Sequence, residues 1–496
     1  MPGPTGADEA ATAPAADGAS PYRRRATVLA VAAAVGGFLF GFDSSVINGA
    51  NEAIKDEFGL SSALSGFVVA VALLGSALGA WLAGRLADRW GRTRTMFLGA
   101  VMFLVSSIMT GLAVTTADLI LWRILSGIGI GIASVMAPAY IAEISPSALR
   151  GRLGSLQQLA ITLGIFTALL SDQILQSVAG DPSAELFWGA AAWQWMFFVG
   201  AVPAAVYGWI ALTIPESPRY LLSRGRHDEA LAVLATVDAD PQGAASAVEN
   251  SIAQDEHNAA HSSLRGPCLG LLPIVWIGIL LSILQQFVGI NVIFYYSTTL
   301  WQAVGFEKDD AFTVSTITSV TNVAVTFVAI ALVDRLGRRP MLLVGSVGMT
   351  VSLGLMAVAF TQSYEIADPA DPGEVLTQLP GGWGTTALIA ANAFVVFFGA
   401  TWGPLVWVLL GEMFPNRIRA AALGVAAAAQ WIANFAVSQS FPWLLDAFGA
   451  AIPYLIYTAF AFLSFWFVLF KIPETKGLSL EQMEGIHVER RHRTSA

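Results

Sequence analysis

Charged residues and cysteine are both scarce in this sequence. Only 12% of its 496 residues are charged, whereas a water-soluble globular protein carries roughly twice that fraction. The single cysteine, Cys268, excludes an intramolecular disulfide and a cysteine-based metal cluster. The chain also lacks an Asn-x-Ser/Thr glycosylation acceptor and a Gly-rich lysine loop for binding phosphates. We therefore expect neither an ATP-driven pump nor an enzyme, and no metal, cofactor or nucleic acid as a partner.

Long apolar runs, in contrast, recur from one end of the chain to the other. Hydrophobic residues make up 55% of the sequence, and the mean hydropathy is +0.64. A helix needs about 20 apolar residues to cross a bilayer, so the expected fold is an all-α polytopic membrane protein. The twelve predicted spans are 26–50, 63–84, 95–115, 119–143, 152–173, 191–214, 268–299, 311–333, 340–361, 386–410, 420–445 and 449–472.

The basic residues predict which ends of the spans face the cytoplasm. Arginines cluster in alternate loops, at 23–25, 85–94, 150–152, 335–339 and 417–419, and cytoplasmic loops of membrane proteins are enriched in Lys and Arg. Both termini are therefore expected inside the cell, and the loops on the other face are acidic. With the Ala- and Arg-rich composition, this predicts a multi-pass protein of the plasma membrane, in a bacterial inner membrane.

The two halves of the chain repeat the same charged motifs. Asp-Arg-Trp-Gly-Arg at 88–92 returns as Asp-Arg-Leu-Gly-Arg at 334–338, and Glu143 after the fourth span returns as Glu412 after the tenth. A parallel duplication of six spans implies two bundles with a substrate site between them. The predicted organisation is a disordered cytoplasmic tail at 1–22, an N-terminal six-helix bundle at 23–215, an intracellular helical domain at 216–266, a C-terminal six-helix bundle at 267–472 and a second cytoplasmic tail at 473–496.

The stretch from Gln285 to Ser297 places polar side chains in the middle of the seventh span. It carries three amides and two phenols, which a membrane helix tolerates only where they face a cavity or one another. We predict that the helix unwinds near Gly289 and turns these groups toward one cavity, as discontinuous transporter helices do. Uncharged donors and acceptors suit a neutral ligand covered in hydroxyl groups, which points to a sugar.

Asp43 and Arg123 are predicted to meet inside the membrane. Counting along the first and fourth spans at about 1.5 Å per residue places both in the outer part of the bilayer. A lone buried charge is costly, so we expect the two side chains to face each other. Arg123 favours the ionised form of Asp43 and burial favours the protonated form, which is the balance that a proton-carrying residue needs. The alternative is a static structural ion pair.

Taken together, these motifs resemble the sugar porter family of the major facilitator superfamily. The resemblance covers about 30–477 and is carried by motifs at 84–92, 123–131, 215–221, 285–297, 334–338, 402–404 and 473–477. It implies alternating access, with Asp43 and Arg123 as the proton-coupling pair, since bacterial symporters of the family carry Asp where facilitative animal glucose transporters carry Asn. The sugar-contacting residues that the resemblance implies are Gln158, Gln285, Gln286, Asn291, Asn322, Trp402 and Gln430, with Phe40, Tyr296 and Trp431 lining the cavity.

Each of these side chains also has a plainer interpretation. A membrane-embedded amide can simply join two helices, a contact worth ~0.6 kcal/mol, and the aromatic residues can serve packing alone. In the tenth span, Gly403-Pro404 is expected to break the helix beside Trp402 and to expose backbone groups.

Charged residues at the cytoplasmic helix ends predict a gate. Acids and bases occur there in both halves, and ion-pair networks can bias a two-state equilibrium. We expect bridges between the bundles that form when the cavity opens outward and break when it opens inward; the alternative is that the bases only orient the chain. The predicted gate residues are Arg85, Arg92, Glu143, Arg150, Glu216, Arg335, Arg338, Glu412, Arg419 and Glu474.

The predicted function is proton-coupled symport of a neutral monosaccharide into the cell, with glucose as the expected sugar and a monomer as the expected assembly. A proton-independent facilitator, or a pentose or polyol symporter of the same fold, stays open as an alternative. A membrane sugar sensor is a more remote one. The sequence does not distinguish glucose from xylose or galactose, which differ by single hydroxyl groups or one carbinol group.

Overall fold

The fold is a bundle of long apolar helices. A computed structural model describes residues 21–146, 149–261, 263–367, 375–415 and 418–474. Within these ranges, twelve helical segments are long and apolar enough to cross a membrane, which confirms the predicted number of spans. The predicted tails at 1–22 and 473–496 lie almost entirely outside the described residues.

The N-terminal half builds its six spans from single helices, except the sixth, which is divided at Gly200. Its helices are α1 (Pro21–Glu57), α2 (Ser62–Trp90), α3 (Arg92–Gly111), α4 (Thr116–Ile144), α5 (Arg150–Ala179), α6 (Ala192–Val199) and α7 (Ala201–Thr213). Ser61 and Thr115 cap α2 and α4, each accepting a hydrogen bond from a backbone N–H of the first turn.

The connection between the halves is helical, as predicted for 216–266. It contains α8 (Pro218–Ser223), α9 (His227–Val237) and α10 (Pro241–His261), which share a small apolar cluster around Leu221 and Leu234. Three short antiparallel hairpins complete the loops: β1 (Glu185–Phe187) with β2 (Ala190–Ala191), β3 (Arg265–Gly266) with β4 (Gly270–Leu271), and β5 (Tyr364–Ala367) with β6 (Val375–Gln378).

The C-terminal half contains two irregular spans. Its helices are α11 (Pro273–Phe287), α12 (Ile290–Tyr295), α13 (Ser297–Ala303), α14 (Lys308–Leu336), α15 (Arg338–Phe360), α16 (Trp383–Phe397), α17 (Gly403–Met413), α18 (Arg419–Phe448) and α19 (Ala451–Lys471). The seventh span is divided into α11, α12 and α13. The tenth joins α16 to α17 through a π-helical turn at Phe398–Trp402, a feature common at functional sites.

Small residues let neighbouring helices approach closely in the glycine cluster of the fourth span. A Cβ added at Gly127 would lie 2.0 Å from the carbonyl oxygen of Ala72, and one at Gly131 would lie 2.1 Å from that of Ser76. Helices α2 and α4 therefore pack backbone to backbone, which is the usual use of small residues between membrane helices.

Candidate functional site

Asp43 and Arg123 form a buried ion pair inside the N-terminal bundle. The Arg123 Nη1 atom lies 3.0 Å from Asp43 Oδ1, and the two side chains are 2% and 7% exposed. Ser126, one turn beyond Arg123 on α4, donates to the same carboxylate oxygen at 2.6 Å. The contact predicted between the two charges is therefore present, and it brings a third side chain with it.

The ion pair borders a small cavity of the N-terminal bundle, to which Tyr295 contributes from the C-terminal bundle. Its lining includes Phe40 and Ser44 of α1, Ser76 of α2 and Tyr295 of α12, together with Asp43 and Arg123. On another side, the Arg123 guanidinium lies 6.0 Å from the ring centre of Phe197. A titratable carboxylate thus stands at the junction of the two halves.

Gly289 breaks the seventh span where the sequence predicts it. Its φ of +80° belongs to the left-handed region, which residues with a Cβ adopt at a cost. A Cβ there would also lie 2.5 Å from the ring of Tyr457. Both the conformation and the space at this position require glycine, so the break is fixed by the residue itself.

The amides around this break form a connected chain. Gln285 Nε2 donates to the carbonyl of Trp402 at 3.0 Å and to that of Gly403 at 3.3 Å. Asn291 Nδ2 donates to Gln286 Oε1 at 2.6 Å, and Gln286 Nε2 lies 3.5 Å from Gln285 Oε1. The unwinding has therefore brought Asn291 next to Gln286, although the two lie apart on an ideal helix.

The tenth span does not break fully at Gly403-Pro404, because the chain stays helical through a π-turn. The π-turn ends at Trp402, just before Pro404. The backbone groups that the seventh span contacts here are the carbonyls of Trp402 and Gly403, which accept hydrogen bonds from Gln285.

Two predicted cavity residues, Trp402 and Tyr296, are fully buried in this structure. The Trp402 indole N–H lies 3.1 Å from both Leu342 O and Ser346 Oγ. Tyr296 donates its hydroxyl to Ser438 O. Its neighbour Tyr295 lines the cavity instead, because the break at Gly289 changes the phase of the helix that follows. The prediction of Tyr296 as a cavity-lining residue does not fit this placement.

The remaining predicted sugar residues lie on several helices. Gln158 of α5 and Gln430 of α18 are half-buried, and Gln430 Oε1 has no hydrogen-bond partner within the described part of the chain. Asn322 of α14 approaches the π-turn, since its Oδ1 would lie 3.4 Å from a Cβ on Gly399. Across the two bundles, the rings of Phe40 and Trp431 meet edge to face at 5.6 Å.

The arginine-rich end of the molecule carries two matching charge clusters, one in each half. Arg92 pairs with Glu143 at 2.9 Å, and Glu216 accepts from the backbone N–H of Arg92 at 2.9 Å. In the other half, Arg338 pairs with Glu412 at 2.9 Å. Glu474 accepts from the N–H groups of Arg338 and Arg339 at 3.1 Å each. These described contacts each stay within one half.

The structure describes contacts for two further predicted gate residues, Arg85 and Arg419. Arg85 is exposed, with its guanidinium 3.9 Å above the ring of Trp81 on its own helix, and its role in the gate stays a prediction. Arg419 donates to the carbonyl of Phe414. The side chains of Arg150 and Arg335 lie outside the described residues.

The opposite, acidic end is closed by contacts between the two halves. Thr298 and Asn48 bind each other twice, through Thr298 N to Asn48 Oδ1 at 3.1 Å and Thr298 Oγ1 to Asn48 O at 2.7 Å. Gln176 donates to Asp309 at 2.7 Å, and Lys308 pairs with Asp181. We call these contacts the acidic-end seam.

The sequence analysis missed the acidic-end seam. The signal that could have indicated it is the clustering of Asn48 and Asn51 near the end of the first span opposite Thr298 and Thr299 in the seventh. Asn51 Nδ2 donates to Thr299 Oγ1 at 3.1 Å. Single polar residues near helix ends carry no sequence pattern that names a partner in the other half.

Comparisons with known proteins agree with this architecture. The family model described as "Sugar (and other) transporter" matches residues 29–486. A glucose transport protein of Synechocystis sp. is 53% identical over 91% of this chain and 95% of its own. A D-xylose-proton symporter of Escherichia coli is 33% identical over 92% and 95%.

A solved structure shows the same fold. The xylose transporter XylE from E. coli, in a partially occluded inward-open conformation, matches with a TM-score of 0.77 and 32% identity. The match covers 93% of this chain and all of the other.

Proposed function

The chain belongs to the sugar transporter family of the major facilitator superfamily, and on that premise we propose that it couples the entry of a neutral monosaccharide to that of a proton. It is a multi-pass membrane transporter and not an enzyme. The observation that carries the proposal is the buried ion pair of Asp43 with Arg123, beside a small cavity that Tyr295 of the C-terminal bundle also lines. Burying an ionisable residue inside the membrane costs free energy, so the presence of such a residue points to a functional site.

The proton step uses the two partners of Asp43. While Asp43 is ionised, Arg123 and Ser126 hold it inside the N-terminal bundle. Protonation removes its charge and weakens the attraction of Arg123, which frees the carboxyl group to move. In this proposal, a proton taken from the acidic end is released at the arginine-rich end, when the ion pair forms again.

The sugar step uses the uncharged side chains between the bundles. Gln286 and Asn291 carry amides near the break in the seventh span, and Gln158 and Gln430 are half-buried on α5 and α18. Amides donate and accept at once, which matches sugar hydroxyls, and a ring such as Trp431 can cover the apolar face of a pyranose. Glucose is the proposed sugar, supported by the Synechocystis relative.

We propose that the arginine-rich end, with both termini, is cytoplasmic, and that the structure faces inward. The support for this is that the acidic-end seam joins the two halves. Bridges between the halves at the arginine-rich end belong to the outward-facing state in this proposal. A bacterial inner membrane and a monomeric assembly complete it.

The test is uptake of labelled glucose by proteoliposomes, with and without an inward proton gradient. Accumulation above equilibrium that disappears when a protonophore is added supports symport. Uptake that only equilibrates, with or without the gradient, identifies a facilitator. Unlabelled xylose, galactose and a polyol added as competitors rank the sugars, and a competitor stronger than glucose would replace it as the substrate.

A further inference from the structure

Ser126 donates to a carboxylate, whereas the other described serines of the N-terminal bundle that cross to a neighbouring helix donate to neutral groups: Ser65 to Asn51 Oδ1 and Ser107 to Phe197 O. Buried helical serines usually donate to a carbonyl of their own helix three or four residues back. Ser76, Ser106 and Ser134 do so. The Ser126 hydroxyl donates instead to Asp43 Oδ1, on a different helix, at 2.6 Å.

The position of Ser126 follows from helix geometry. Residues three apart on a helix share a face, so Ser126 presents its side chain beside that of Arg123. Both side chains are 2% exposed, and both bind the same oxygen of Asp43. A distance of 2.6 Å is the length expected for an O–H donor to an ionised carboxylate.

A hydroxyl group suits both protonation states of Asp43, unlike the guanidinium of Arg123. Serine can donate to the carboxylate and, after rotation, accept from the carboxylic acid, whereas arginine only donates. The bond to the ionised form is the stronger of the two because it is assisted by charge. Ser126 can therefore bind Asp43 in both protonation states but holds the ionised form more strongly, so protonation loosens this contact as well as that of Arg123.

Few other groups around Asp43 can titrate. From α4 it faces Arg123, and from α12 it faces the phenol of Tyr295 across the cavity. The wall from α2 contributes Ser76 with apolar residues. Asp172 of α5 binds the backbone N–H of Gly49, further along α1. A change in the pH profile after loss of the Ser126 hydroxyl is therefore assigned to Asp43.

We propose that Ser126 is a positioning residue for the proton step, which sets the pH at which Asp43 takes up its proton. The proposal rests on the proposed symport function. It predicts that loss of the hydroxyl moves proton loading to higher pH, because the ionised carboxylate loses its second donor. A charge-assisted hydrogen bond worth about 1.5 kcal/mol or more corresponds to a shift of about one pH unit.

The experiment measures the initial rate of gradient-driven sugar uptake as a function of pH in Ser126→Ala, Ser126→Cys and wild type. A thiol is a weaker donor than a hydroxyl. The expected midpoints therefore rise from wild type to Ser126→Cys to Ser126→Ala, by about one unit in all. Ser106→Ala is the matched control, because that buried serine donates only to Phe103 O, and its profile should coincide with wild type.

Sugar exchange without a gradient separates the two hypotheses. It should be unchanged in the Ser126 variants, since exchange needs no net proton release. A Ser126→Ala profile that coincides with wild type, or a lower rate at an unchanged midpoint, would overturn the role of Ser126 while leaving symport intact. Wild-type uptake that ignores the gradient would instead refute the proposed function itself.

Discussion

The two bundles join their first and fourth helices in opposite ways. In the N-terminal bundle, α1 and α4 are held by the charges of Asp43 and Arg123. In the C-terminal bundle, the corresponding seventh and tenth spans are held by the neutral amide of Gln285 on two backbone carbonyls. The duplicated scaffold therefore places a contact between two charged side chains in one half and a contact between an uncharged amide and the backbone in the other.

The arginine-rich ends of the two bundles match each other. Arg92 with Glu143 and Arg338 with Glu412 pair at the same distance of 2.9 Å. The two interior contacts also differ in depth. At about 1.5 Å per residue along α4, Arg123 lies roughly 30 Å from Glu143, whereas Trp402 lies roughly 15 Å from Glu412. The comparison teaches that the ion pairs at the helix ends maintain the common scaffold. The residues inside the bundles differ, with the proton-coupling pair in one bundle and the sugar-binding amides in the other.

The largest effect is expected from Gly289→Ala, which removes the break that exposes the amides. Backbone strain at φ +80° costs about 1–2 kcal/mol, and the methyl group would overlap Tyr457. We expect a lower melting temperature and loss of most sugar binding. Gly59→Ala, at φ +59° with no atom within 4 Å of the added Cβ, is the control for backbone strain without a steric overlap. Equal losses in the two variants would contradict the steric part of the account.

Gln285→Leu should weaken sugar binding while leaving the N-terminal ion pair intact. The seventh and tenth spans lose the side-chain hydrogen bonds from Gln285 to the carbonyls of Trp402 and Gly403, and a hydrogen bond contributes about 0.5–1.5 kcal/mol. We expect roughly tenfold weaker binding by calorimetry and an unchanged midpoint in the pH profile of uptake. Gln362→Leu is the control, because Gln362 is exposed at the end of α15. A shifted pH midpoint in Gln285→Leu would show that the two tasks are not separate.

The matching ion pairs at the arginine-rich ends of the two halves should respond unequally to loss of charge. Glu143 is 13% exposed in its ion pair and Glu412 is 31% exposed, and exposed ion pairs contribute less. Glu143→Gln should therefore lower the free energy of unfolding more than Glu412→Gln, by about 1 kcal/mol or less, and should lower the melting temperature more. A larger loss of thermal stability in Glu412→Gln than in Glu143→Gln would contradict the inference that the more buried ion pair contributes more.

The smallest effect is expected at the acidic-end seam. Partial burial raises the pKa of Asp181, but hydrogen bonds from Lys308 and Ser183 outweigh it and hold that pKa below its ordinary value of 3.8. A lowered pKa means that the Lys308 contact is present above the ordinary value and is lost only as pH falls through the lower one. Its contribution is therefore constant between about pH 5 and 8.

Asp181→Asn should consequently open the acidic end slightly and equally at every pH in that range. Both side chains of the pair are more than one-third exposed, so the change in population should stay under about fivefold. The measurement is the rate of thiol labelling at Gln302→Cys in a Cys268→Ser background. Asp310→Asn, an exposed neighbour of the seam, serves as control. Labelling that changes with pH would place a proton switch in the seam.

The sequence predicts much of the architecture because membrane spans follow from local composition. The twelve spans, the break at Gly289 and the contact of Asp43 with Arg123 all follow from hydropathy, glycine and the cost of buried charge. The π-turn before Gly403 does not, because several backbone geometries accommodate a proline within a helix.

Other features of the site depend on how the helices pack. Tyr295 lines the cavity in place of the predicted Tyr296 because of the orientation of the helix after Gly289, which residue spacing alone does not give. The role of Ser126 as a donor to Asp43 depends on the rotation of α4. The same is true of the acidic-end seam, whose partners are 250 residues apart in the pair of Asn48 with Thr298.

The most direct test of the division between the bundles is Asp43→Asn in proteoliposomes, assayed for gradient-driven accumulation and for exchange of labelled glucose. Removing the titratable group should reduce accumulation to the equilibrium level while exchange continues near the wild-type rate, because the amides of the C-terminal bundle are untouched. Accumulation that survives in Asp43→Asn would contradict the account and would make the ion pair a structural contact.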